Sequence, residues 1–142
     1  MKTTNAKGLP HLLFIAALLV GGAGLAGATD VTVKLTGEQE VPAVATTATG
    51  TGKITIKDDM SVSGMVKTTG IEATMAHIHM AEPGKNGPPV ISLEKKGTDE
   101  WVVPAGSKLT EDQYKSFKAG NLYVNVHSAA HRGGEIRMQL KP

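Results

Sequence analysis

Apolar residues alternate with polar ones at every second position along much of this chain, and a side-chain period of two belongs to a strand with one buried face. Val31, Val33 and Leu35 show it first, Ile54 and Ile56 repeat it, and Asp58-Asp59 then makes a turn into Val62 to Lys67. Further strands are expected over Met75 to Met80, Val90 to Leu93, Trp101 to Val103, Leu122 to His127 and Glu135 to Leu140. Short strands parted by Gly, Pro, Asn and Asp predict an all-β fold, an antiparallel Greek-key-like sandwich or barrel. One segment departs from the pattern. Thr110-Glu111-Asp112-Gln113 has the Thr-x-x-Gln form of a capping box, so one short helix is expected over Tyr114 to Ala119, stopped by Gly120.

The N-terminus has a different character. Lys2 and Lys7 precede an apolar run from Leu12 to Val20 and the small residues Ala26-Gly27-Ala28, the order of a signal peptide. Residues 1–28 therefore read as a leader and residues 29–142 as one β domain. The apolar run, broken by Gly21, Gly22 and Gly24, is short against the roughly 20 residues of a spanning helix, so no transmembrane segment is expected after cleavage. A periplasmic or secreted address follows. The chain carries 15 Lys and Arg against 13 Asp and Glu, and Lys2 and Lys7 account for the excess. A near-neutral domain lacks the clustered basic charge that nucleic-acid binding requires. Cysteine is absent, so no disulfide can form and any metal site must use His, carboxylate or Met.

The strongest chemical signal is the placing of the histidines. Apart from His11 in the leader they fall in two short segments, His77 and His79 in one, His127 and His131 in the other. Strand alternation sets Ala76 and Ile78 on one face and both His77 and His79 on the other. It likewise puts Leu122, Val124 and Val126 in the core and Tyr123, Asn125 and His127 opposite. If both strands share a sheet, three imidazoles project from its outer, non-core side. His131, in the following loop, is expected as a fourth ligand. A nitrogen-only set suits copper best, because copper tops the divalent affinity series, and zinc is the competing assignment. Met75 and Met80 flank the pair; a thioether can ligate Cu(I), but methionine at a strand end is read here as core filling.

Several segments, in order, carry a resemblance to a known family: Leu35-Thr36-Gly37-Glu38-Gln39-Glu40-Val41-Pro42, Ala76-His77-Ile78-His79, Asn86-Gly87-Pro88, Tyr123-Val124-Asn125-Val126-His127 and Gly133-Gly134-Glu135-Ile136-Arg137. Together they resemble the CHRD domain, named from chordin, which implies an exported all-β domain. A more distant likeness is to copper/zinc superoxide dismutases, which also place a His-x-His on one strand of a Greek-key sandwich. That likeness implies a copper set of His77, His79 and a distal histidine, His127 or His131, with an arginine guiding the anion. The cysteine pair and the zinc-loop ligands have no counterpart here, so it permits only a mononuclear copper centre.

Arg132 is the candidate for holding a small anion such as superoxide near the metal. Arg137 is read as solvated or paired with Glu135, and Glu40 as a possible acceptor for the second N–H of a ligand histidine. Three functions compete: a copper-dependent superoxide dismutase, a non-catalytic protein that stores or delivers copper, and a structural or interaction module. A homo-oligomer is compatible with each.

Overall fold

The computed structural model describes residues 27–142. Its strands are β1 (Ala28–Thr36), β2 (Thr49–Lys57), β3 (Val62–Thr69), β4 (Ala73–Met80), β5 (Pro89–Ser92), β6 (Glu94–Lys96), β7 (Glu100–Val102), β8 (Leu122–Ser128) and β9 (Ile136–Leu140), with one helix, α1 (Glu111–Lys118). All pair antiparallel in a single sheet of order β5-β4-β8-β9-β1-β2-β3-β7-β6. The strands at the two ends of that order, β5 and β6, are separated in the chain by Leu93 alone, whose N–H donates to the Ala76 carbonyl. A sheet whose ends are covalently joined must curl back on itself. The result is a nearly closed antiparallel barrel with one helix, as the alternation implied.

The interior is built from the residues of the apolar phase. Val33, Leu35, Ile54, Ile56, Val66, Ile78, Leu122, Val124, Val126, Ile136 and Leu140 are all buried within it, and α1 contributes Phe117. The helix starts earlier than the expected Tyr114, because the box residues form its first turn and Thr110 is the N-cap. Its hydroxyl accepts from the Gln113 N–H while the Gln113 side chain accepts from the Thr110 N–H, so the first turn begins at Glu111. Strand β6 carried no readable period, since Glu94, Lys95 and Lys96 are all exposed and polar.

The leader expected over residues 1–28 lies outside the described residues except at its end. Gly27 and Ala28 belong to the barrel: Ala28 pairs with Lys57, and Gly27 exchanges hydrogen bonds with Asp58. Among the described residues no helix is long and apolar enough to cross a membrane.

Two strands that lie far apart in the chain are neighbours in the sheet. In the β4–β8 register Met75 stands opposite His127, His77 opposite Asn125 and His79 opposite Tyr123. This pairing sets the outward residues of both strands on one common face.

Candidate metal centre

That face was expected to lie outward, and along β8 it is covered. Every residue of β8 is buried, including Tyr123, Asn125 and His127 on the side away from the barrel interior. Three loops cover them. The segment after β1 brings Glu40 onto the Asn125 amide, and Val41 offers its carbonyl to Asn86 at 2.6 Å. The β4–β5 loop lays Gly87 on the Tyr123 hydroxyl, its N–H donating at 3.0 Å. The β8–β9 loop returns the Arg132 carbonyl to His127. The outer face is thus a second, polar layer roofed by the segments that carry the Glu-Val-Pro, Asn-Gly-Pro and Gly-Gly-Glu motifs.

Within this layer one nitrogen from each of His77, His79 and His127 lies within 4.8 Å of the other two. His77 Nδ1 is 3.0 Å and His79 Nε2 3.4 Å from His127 Nε2. A trigonal ion with metal–nitrogen bonds of 2.0–2.1 Å requires nitrogens about 3.5 Å apart, so the set has the right size. The protonation pattern is also right. His79 Nδ1 contacts the Gly87 carbonyl at 2.8 Å and His127 Nδ1 the Arg132 carbonyl at 2.9 Å. A carbonyl only accepts, so each neutral ring carries its proton on Nδ1 and turns a bare Nε2 lone pair toward the other. A proton from His77 can satisfy His127 Nε2, but His79 Nε2 then still faces an acceptor. Backbone carbonyls holding the second nitrogen are the usual way a protein orients metal-binding imidazoles.

Electrostatics keep the three rings available. Burial pushes all three below the ordinary histidine range; His79 is 8% exposed and His127 5%. For His77 the charges of His127 and His79 push further in the same direction. For His79 the Gly87 carbonyl opposes the effect, while the charges of His127 and Arg137 add to it. For His127 the Arg132 carbonyl opposes it. Neutral imidazole is the form that binds metal.

Arg137 requires a correction. Rather than solvated or paired with Glu135, it is 1% exposed and stacks its guanidinium 3.6 Å from the centre of the Tyr123 ring. Tyr123 in turn stacks on His79, with ring centres 5.0 Å apart and planes 14° from parallel. The same guanidinium donates to Asn86 Oδ1, the Lys85 carbonyl and Gln139 Oε1, which clips the β4–β5 loop in place. Glu135 instead accepts from the Thr46 hydroxyl. The reason is phase: Arg137 stands opposite Asn125 on β9, within the buried polar layer. Glu40 likewise differs from expectation. It accepts from Asn125, and the second nitrogens of His79 and His127 go to carbonyls.

Two glycines are required by this packing. A Cβ at Gly87 would sit 1.9 Å from the Met80 carbonyl, and one at Gly134, whose φ is +127°, would sit 2.4 Å from the Asn125 amide and 2.6 Å from Glu40. Neither place admits a side chain.

The other expected site residues lie apart from the three-histidine group. His131 is half-buried beside a groove formed with Glu40, Pro42 and Asn86, and it is not among the three converging rings. The Arg132 side chain is exposed and borders a groove of about 290 Å³ with Thr74, Met75 and Ser128. Met75 is not core filling: it is 48% exposed, whereas Met80 packs against the core as expected.

Neither comparison with curated proteins nor comparison with solved structures finds a significant match. The CHRD domain family profile does match, over residues 31–140, a span that includes β2 to β9, most of β1 and all the residues of the polar layer. On that match, which covers most of the sequence, the chain belongs to the CHRD domain family.

Proposed function

We propose that this is an exported copper protein whose single ion is held by His77, His79 and His127, and that it dismutates superoxide. The observation that carries the metal reading is the pair of bare Nε2 lone pairs, 3.4 Å apart, each fixed by a carbonyl on the other side of its ring. Buried acceptors aimed at one another are costly unless a cation lies between them. Copper rather than zinc is favoured by the affinity order for nitrogen ligands. Copper bound there supplies a one-electron couple, which dismutation of superoxide requires.

The chain's own residues do the rest. Gly87 and Arg132 orient two rings through their carbonyls, and the Arg137–Tyr123 stack holds the His79 ring in plane. His77, half-buried, marks the side from which a small ligand reaches the site. Arg132, exposed beside Met75, attracts an anion to that side. The signal-peptide order of Lys2, Lys7, the apolar run from Leu12 to Val20 and the small residues after it supports export to the periplasm or beyond.

Metal analysis of protein purified from its native compartment, with an electron paramagnetic resonance spectrum of the oxidised form, tests the copper assignment. Copper at one per chain with a nitrogen-ligated spectrum is expected, and zinc at that stoichiometry overturns it. Dismutation is then measured on desalted, stoichiometrically loaded protein. The parent is expected to exceed a His77→Ala control, and Arg132→Glu to slow the reaction and change its salt dependence. A parent no faster than the control refutes catalysis and favours copper storage or delivery.

A further inference from the structure

Met75 is the residue of the histidine face that neither packing nor hydrogen bonding explains. It leaves nearly half of a large apolar side chain in water, while Ala76 and Ile78 beside it are fully buried. Its placement is set by the backbone. Between Ala73 and Met75 the β4–β8 register shifts, Ala73 facing Ser128 and Met75 facing His127, so Thr74 is an extra residue in the strand. A bulge of this kind re-aims side chains, and here two successive residues, Thr74 and Met75, turn outward.

The consequence is a thioether next to two of the three ligands. Met75 is two positions from His77 on the same face, a Cα separation of about 7 Å, and directly across from His127, a separation of about 5 Å. Three rotatable bonds give its sulfur several directions to take, and the groove it shares with Thr74, Ser128 and Arg132 leaves the side chain room to turn. Met80, the residue next after His79 and in the core phase, has no such freedom. A thioether is a soft ligand: it suits Cu(I) and competes poorly with water for Cu(II) or Zn(II).

We propose that Met75 is a conditional fourth ligand that closes the three-histidine site on Cu(I) and leaves it open on Cu(II). This rests on the copper reading above and deepens it, because it makes the open position depend on oxidation state. The same residue then tightens retention of the reduced ion.

Three measurements on the full mature protein test it. Cu(I) affinity is determined anaerobically by competition with a chromophoric Cu(I) chelator, and Cu(II) affinity by competition with a Cu(II) chelator. Met75→Leu, a volume-conserving change at an exposed position, is expected to weaken Cu(I) binding by about tenfold or more and Cu(II) binding by less than about twofold. Met80→Leu is expected to alter neither. X-ray absorption of the Cu(I) form is expected to show one sulfur neighbour in the parent that Met75→Leu lacks. Unchanged Cu(I) affinity in Met75→Leu, or no sulfur neighbour in the parent, overturns the proposal while leaving the histidine site standing. A parent that binds neither oxidation state overturns both.

Discussion

Glu40 shows how much the polar layer depends on single side chains. Its carboxylate is buried against the Asn125 amide, with the Arg137 guanidinium and His131 as the charged or titratable groups nearby. Burial raises its pKa above the ordinary carboxyl value, and the Asn125 hydrogen bond, Arg137, the Val41 backbone N–H and His131 only partly oppose this. The folded protein therefore holds the Glu40 proton more tightly than the unfolded chain does. Stability contributed by that proton is present at pH below the unfolded value of about 4.5 and is lost as pH rises through the raised folded value. Glu40→Gln keeps an acceptor for Asn125 and removes the titration. Denaturant unfolding at a series of pH values is expected to show a flatter profile between pH 4 and neutrality in the variant, and an unaltered profile would count against a buried carboxyl with a raised pKa.

At the scale of elements, the histidine strands are sheltered by loops, whereas the helix adds to the apolar interior. β8 is buried on both faces, so a length of strand that alternates apolar and polar residues behaves as a central strand between two layers, one apolar and one hydrogen-bonded. α1 contributes Phe117 to the apolar layer and is closed at its N-terminus by the Thr110–Gln113 box. Thr110→Ala removes the cap and is expected to cost about 1 kcal/mol of unfolding free energy, read from the denaturant midpoint. Metal affinity is expected to be unchanged, since the buried residue of α1, Phe117, belongs to the apolar layer and not to the histidine layer. A loss of affinity would show that the two layers are coupled.

For the whole molecule, an ion held by the three histidines would link β4 to β8 across a chain separation of nearly fifty residues and join both to the loops that orient the rings. An ion that binds only the folded form stabilises it by mass action, about 2.7 kcal/mol at a free concentration a hundred times Kd. The thermal midpoint is expected to rise by several degrees on loading with copper and to return after chelation. A thiol reductant is expected to leave the apo protein's midpoint unmoved, because the chain has no cysteine. No shift on loading the parent, or the same shift in His77→Ala, would count against a site at these three histidines.

Much of this was determined by the sequence alone. A period of two in the apolar residues is imposed by strand geometry, so most of the strands, the barrel-or-sandwich class and the shared face of His77 and His79 follow without any tertiary contact, whereas bringing His127 to that face takes the β4–β8 pairing. The capping box is equally local, and the family motifs are legible as they stand. Only the tertiary structure decided what those motifs do. Burial of an outward face depends on where loops return, and loops carry no period; thus the covering of β8, the clip between Arg137 and Asn86, and the carbonyls that set the tautomers of His79 and His127 were not readable in the chain. The exclusion of His131 from the converging rings and the exposure of Met75 have the same origin: one lies in a loop, the other beside a bulge, and each breaks the alternation that made the rest predictable.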